Sequence, residues 1–97
     1  MANICDNTFY SYTEDEDNYN YIKKYLETTL KADLYEQDGT TIEATFDSRW
    51  TFPENKMKDL YNNLSNKEDV YMRCLSVEYG NLYHALWVCD EDGWTEQ

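Results

Sequence analysis

The sequence predicts an α+β domain, a mainly antiparallel sheet with two helices on one face, formed as a single unit over residues 1–97. Three observations predict it. Apolar residues alternate with polar ones in several short runs, the period of a half-buried strand. Two other stretches carry them three and four residues apart, the period of a helix face. At 97 residues, with 41% hydrophobic and 16% aromatic content, the chain has material for one core and is too apolar for disorder.

Residues 4–12, ICDNTFYSY, read as a strand with Cys5, Asn7, Phe9 and Ser11 on one face. Thr13-Glu14-Asp15-Glu16 then fits a capping box, Thr with Glu three residues on. It opens a helix over about 15–31, with Ile22, Tyr25, Leu26, Thr29 and Leu30 inward and Lys23, Lys24, Glu27 and Lys31 outward. Acids at its start and lysines toward its end suit the helix dipole. Residues 33–50 read as a hairpin turning at Asp38-Gly39, a strong two-residue turn signal. In its second strand Ile42, Ala44, Phe46, Ser48 and Trp50 alternate with Glu43, Thr45, Asp47 and Arg49. Thr51-Phe52-Pro53-Glu54 is a second capping box, with Pro53 in the first turn where it is tolerated. Met57, Leu60, Tyr61 and Leu64 form the stripe of a helix over about 53–64, ended by Ser65-Asn66-Lys67. Two last strands, near 69–77 and 82–89, join through Tyr79-Gly80-Asn81. The expected core includes Ile22, Leu26, Leu30, Phe46, Trp50, Leu60 and Leu64.

The order β-α-β-β-α-β-β resembles a ferredoxin-like α+β sandwich with an added C-terminal strand. Three segments carry a closer resemblance: NICDNTF (residues 3–9), FDSRWTFP (46–53) and EYGNLYHALW (78–87). They are similar to the sequence landmarks of the YubB-type ferredoxin-like family of phages and plasmids. Ala85 stands where that family's glycine is expected ahead of Trp87. The resemblance implies the fold and a mobile-element origin, and it transfers no catalytic residue.

Charge is the strongest functional signal. Eight bases against 20 acids give a formal net charge of −12. Direct binding to nucleic acid or anionic lipid is excluded, because phosphate contacts need Lys and Arg. A basic partner is attracted. Residues 1–22 and 74–97 each hold five acids and no base, so ten of the twelve net charges lie in the terminal segments. No apolar run approaches the roughly 18 residues of a membrane span, and the opening residues lack the basic and apolar regions of a signal peptide. Cys5, Cys74 and Cys89 show no CxxC spacing and read as buried, reduced thiols of a cytoplasmic protein.

Both acidic runs invite a calcium loop, and neither fits one. Counting from Asp15, position 6 is Asn20 and position 12 is Leu26, where a loop of this kind needs Gly and a bidentate Glu. From Asp90 the remaining residues are too few for twelve. A looser Mg²⁺ site at Asp90, Asp92 and the first loop stays open as the weaker alternative; neither a metal nor another cofactor is predicted. His84 is the single histidine, and no phosphate loop or nucleophile elbow accompanies it, so no catalysis is expected. Among ten tyrosines, Tyr10, Tyr12, Tyr19 and Tyr21 crowd the first acidic run. An interface role and a shielding role fit that group equally; Tyr25, Tyr35 and Tyr61 fit the core.

Topology joins these features. In a sheet of order 4-1-3-2 with a fifth strand on the fourth, Glu14, Asp15, Glu16 and Asp17, Glu36 and Asp38, and Asp90, Glu91 and Asp92 share one end. With Tyr12 and Tyr19 they form the expected partner-binding site. Strands about 4.8 Å apart make that end about 20 Å wide. The function expected is a phage-like acidic inhibitor of a basic, nucleic-acid-binding host defence protein, a CRISPR effector or restriction enzyme. The alternative is a small non-catalytic accessory domain whose charge serves solubility. The oligomeric state is not read from the sequence.

Overall fold

Strand β1, Ile4–Tyr12, is the middle of the fold because it can bury one whole side. In the computed structural model, which describes residues 3–80 and 82–97, Cys5, Asn7, Phe9 and Ser11 are buried, while Ile4, Asp6 and Thr8 are exposed. The chain continues as α1 (Glu16–Thr28), β2 (Asp33–Gln37), β3 (Thr41–Arg49), α2 (Glu54–Asn62), β4 (Tyr71–Glu78), β5 (Tyr83–Asp90) and β6 (Gly93–Glu96). The strands form one sheet in the order β2-β3-β1-β4-β5-β6, and every neighbouring pair is antiparallel. The fold is α+β, and it departs from the expected succession of seven elements by a sixth strand. In the turn expected at Tyr79-Gly80-Asn81, Asn81 lies outside the described residues.

The core forms between the sheet and the helices. Ile22 and Leu26 of α1 and Met57 and Leu60 of α2 are fully buried against Phe9, Ile42, Ala44, Phe46, Met72 and Cys74. Leu30 and Leu64 lie just past their helices and are buried as well. α1 stops at Thr28, three residues before the expected end: the amides of Thr29 and Leu30 both donate to the Tyr25 carbonyl, and Lys31 takes a left-handed φ of 55°. No basic residue falls in the last turn of α1, so the lysines do not cap the dipole's negative end.

Both expected capping boxes are corrected. The N-cap of α1 is Asp15, whose carboxylate accepts from the Asn18 amide at 2.9 Å. Thr13 instead accepts from the Asp15 amide at 3.1 Å and donates to the Asp69 carbonyl. α2 is capped by Pro53, which offers no side-chain acceptor, and Thr51 donates to the Phe52 carbonyl.

Trp50, expected in the core, is 46% exposed. The strand alternation stops at Arg49, and Trp50 turns the chain at a φ of 70°, its amide donating to the Asn3 carbonyl at 3.0 Å. Phe52 takes the vacated core position. Its ring stacks on Trp87, with centroids 4.5 Å apart and planes 8° apart, and meets Trp94 at 5.3 Å. Trp94 belongs to β6 and its indole donates to the Met57 carbonyl at 2.8 Å, which fastens the added strand to α2. Tyr35, a core candidate, is exposed because the β2–β3 register slips between Leu34 and Glu36, a bulge that leaves it unpaired. Tyr25 and Tyr61 are half-buried and pack against the core.

All three cysteines are free and buried. Burial pushes Cys74 and Cys89 up to about 12, and Cys5 is raised by the same cause. The nucleophilic thiolate is thereby suppressed. In the native protein at pH 8, iodoacetamide is expected to label none of the three within an hour, and all three in denaturant. Mass spectrometry reads the result; fast native labelling of Cys5 or Cys74 would contradict the packing.

A candidate acidic interface at one end of the sheet

The antiparallel register decides where the acids lie. Tyr12, the last residue of β1, pairs with Thr41 at the start of β3 and with Tyr71 at the start of β4. Met72 in turn pairs with Cys89, and Asp90 pairs with Gly93 across the β5–β6 turn. The loop into α1, the β2–β3 turn, the loop into β4 and the β5–β6 turn therefore all face one way. Glu14, Asp15, Glu16 and Asp17, Asp38, and Asp90, Glu91 and Asp92 occupy that end, and Glu36 sits one residue short of the end of β2.

The loop before β4 adds Glu68 and Asp69, which sequence reasoning missed. Asp69 accepts from the Glu14 amide at 3.3 Å through its carboxylate, and from Thr13 and Asn18 through its carbonyl. The signal was available, since a fourth strand antiparallel to the first must begin where the first ends. Eleven of the chain's 20 acids are thus gathered at one end. Lys31, Arg49, Lys56 and Lys58 follow from the opposite ends of α1, β3 and α2.

Several of these carboxylates hold the backbone. Asp38 accepts from the amides of Thr40 and Thr41 at 2.9 and 2.7 Å, while Gly39 supplies a φ of 99° that an L side chain resists. Those hydrogen bonds hold the Asp38 carboxyl below its usual range. With a depressed folded value, its contribution is present above the ordinary carboxylate range and is lost as pH falls through the folded value. Asp15 caps α1, and Asp90 accepts from the Asp92 amide at 2.9 Å in the β5–β6 turn. Glu14 accepts from the Tyr12 hydroxyl at 2.8 Å, which raises that phenol. Tyr61 donates to the Glu91 carbonyl at 2.7 Å and is raised first by burial, then by Cys89 and the acids at 90–92.

The end is held rigid by Asn18, which is fully buried in the first turn of α1. Its amide nitrogen donates to the carbonyls of Asn66 and Asp69 at 2.6 and 3.1 Å. Its oxygen accepts from the Asn66 amide at 3.1 Å and the Ser65 hydroxyl at 3.2 Å. One side chain thereby ties the acidic helix start to the acidic loop before β4.

Among the described residues the acids of this end form no ion pair; Lys67, in the loop before β4, donates to the Leu64 carbonyl instead. Among the described residues a single ion pair occurs, Lys58 with Glu54 at 2.6 Å, and it lies on α2 away from the acidic end. Nor, among those residues, does any group of three His, Cys, Asp or Glu side chains come close enough to hold a metal ion.

The expected tyrosine cluster divides. Tyr19 is buried in the core and leaves the proposed binding set; it follows Asn18 onto the inner side of α1. Tyr21 is half-buried, 6.0 Å from Tyr25. Tyr10 and Tyr12 lie on the outer face of the sheet, where the Arg73 guanidinium covers the Tyr10 ring at 4.0 Å. Among the described residues no helix is long and apolar enough to cross a membrane. Comparison of the chain with family models, curated proteins and solved structures finds no match.

Proposed function

We propose that the acidic end is a binding surface for a strongly basic protein, and that it occupies the nucleic-acid channel of that partner. One observation carries this reading: eleven carboxylates share one end of the sheet, about 20 Å across, with no ion pair among them in the described residues. Duplex DNA carries one charge per about 1.7 Å, or on the order of twelve over that length. The two densities are close. Tyr12 at the edge of the acids adds a rigid amphipathic ring of the kind enriched at interfaces.

The two helices and the β2-β3-β1-β4 core of the sheet support a ferredoxin-like sandwich extended by two strands. With the three YubB-type landmarks, this supports a phage-encoded, non-enzymatic inhibitor acting in the bacterial cytoplasm on a defence protein, a CRISPR effector or restriction enzyme. Immobilised protein incubated with bacterial lysate is expected to retain one nucleic-acid-binding complex, released by duplex DNA or RNA. Retention of nothing would favour an accessory domain whose charge serves solubility.

A further inference from the structure

The helices cover one face of the sheet, and the other face is open and divided in two. On β4 and β5 it presents Leu75, Val77, Leu86 and Val88, and the connecting turn adds Tyr79 and Leu82, which are 72% and 83% exposed. On β2, β3 and β1 the same face carries Asp33, Glu36, Glu43, Asp47 and Asp6. Two like-charged pairs stand directly opposite each other across strands, Glu36 with Glu43 and Asp6 with Asp47. Such pairs are destabilising, and among the described residues none of these carboxylates has an ion-pair partner. Of the arginines on this face, Arg49 lies at the far end of β3 opposite Ile4, and Arg73 covers the Tyr10 ring at 4.0 Å. His84 lies opposite Val77 on β5. The face is thus acidic on three strands and apolar on the next two.

The two halves meet in one depression. A hollow of about 430 Å³ lies between the Asp6–Asp47 pair and the side chains of Leu75, Val77 and Tyr79. Those last three also line an apolar hollow of about 590 Å³ that continues to Leu82 and His84. A contiguous exposed apolar patch marks an interaction surface, and the carboxylates beside it set the charge of what lies there.

We propose that this face docks a basic amphipathic helix of another protein. Its apolar side rests on β4 and β5, and its Lys or Arg side chains turn to the carboxylates of β3 and β1. Charge complementarity selects the occupant: an acidic or neutral helix leaves both like-charged pairs uncompensated, and a second copy of this chain sets the same acids against them. Geometry selects the helix. The acidic strip is centred on β3 and the apolar strip between β4 and β5, about 12 Å away at the usual strand spacing. A helix is about 10–12 Å across. From Leu82 to Val88 the apolar strip runs about 20 Å, the length of a helix of about 13 residues. The footprint is small for a stable complex, so dissociation falls at about 1–100 µM.

The probe is a peptide of about 14 residues made only of Leu and Lys, its leucines three and four apart on one side of a helix. Its control has the same composition with the leucines spread around the helix. Attraction to the acidic end is common to both, so the difference in affinity reads the open face. Calorimetric titration of the full chain is expected to show the amphipathic peptide binding roughly tenfold tighter or more, with amide shifts centred on Leu75, Val77 and Leu86. Leu75→Asn with Leu86→Asn is expected to abolish that preference with an unchanged circular dichroism spectrum. Asp6→Asn, Glu43→Gln and Asp47→Asn together are expected to weaken the amphipathic peptide about tenfold. Neutralising residues 14–17 leaves the preference intact, so this inference and the proposed function fail separately. Equal affinity for the two peptides would overturn the proposal. So would a preference that survives the leucine replacements, one that is lost with residues 14–17, or equal binding of a peptide in which Glu replaces every Lys.

Discussion

Asn18→Ala is expected to lower the unfolding free energy by about 2–4 kcal/mol. The side chain is fully buried and makes four hydrogen bonds to Ser65, Asn66 and Asp69. Its removal takes four hydrogen bonds at once and leaves a hole at a fully buried position between α1 and the loop before β4. For a domain of this size each kcal/mol moves the melting temperature by about 4–8 °C, so thermal denaturation should register a fall of roughly 10–25 °C. Asn18→Asp is expected to do at least as much harm, because a carboxylate would face the two carbonyls that now accept from the amide nitrogen. A melting temperature within about 3 °C of wild type, less than one kcal/mol on that scale, would mean that Asn18 does not fasten the acidic loop to α1.

Neutralising Glu14, Asp15, Glu16 and Asp17 together, as Gln, Asn, Gln and Asn, is expected to weaken partner binding about a hundredfold. An exposed ion pair contributes about 0.2–1 kcal/mol. Four near 0.7 kcal/mol reach about 2.8 kcal/mol, or two decades of affinity. The same change at Asp90, Glu91 and Asp92 acts in the same direction from the other side of the end. Both variants keep their caps and turns, since Asn serves as an N-cap as well as Asp does. Each is expected to melt at or above the wild-type temperature, because self-repulsion falls. Binding by the unaltered chain should weaken as salt rises, mainly through slower association. Calorimetric titration of the isolated partner reads the affinities, and unchanged affinity of both variants would direct attention to Tyr10 and Tyr12.

Much of the fold was legible because burial enforces a period. The alternation of Cys5, Asn7, Phe9 and Ser11 and the helical spacing of Ile22 and Leu26 hold in the structure, since a slip of one residue would expose the whole inner side. The acidic end was legible for a topological reason, strand direction alone placing residues 14–17, 38 and 90–92 together. What stayed hidden depends on contacts remote in sequence. Trp50 leaves the core because the chain turns there against Asn3 and Phe52 claims the space beside Trp87. β6 is four residues long, too short for a pattern, and is held by the bond from Trp94 to Met57. The choice of Asp15 over Thr13 as N-cap follows from Thr13 being drawn to the Asp69 carbonyl, 56 residues away.

Competition between this protein and nucleic acid for one partner decides whether the acidic end occupies a nucleic-acid channel. Fluorescent duplex DNA, or the partner's own guide or target strand, is bound to the isolated partner and titrated with the wild-type chain. Full displacement is expected, with an apparent affinity for the chain that falls in proportion to the occupying nucleic acid. The variant neutralised at residues 14–17 should need about a hundredfold more protein for the same displacement, the two decades lost with its four charges. A ternary complex, in which the partner holds nucleic acid and this protein together with undiminished affinity for each, would contradict it.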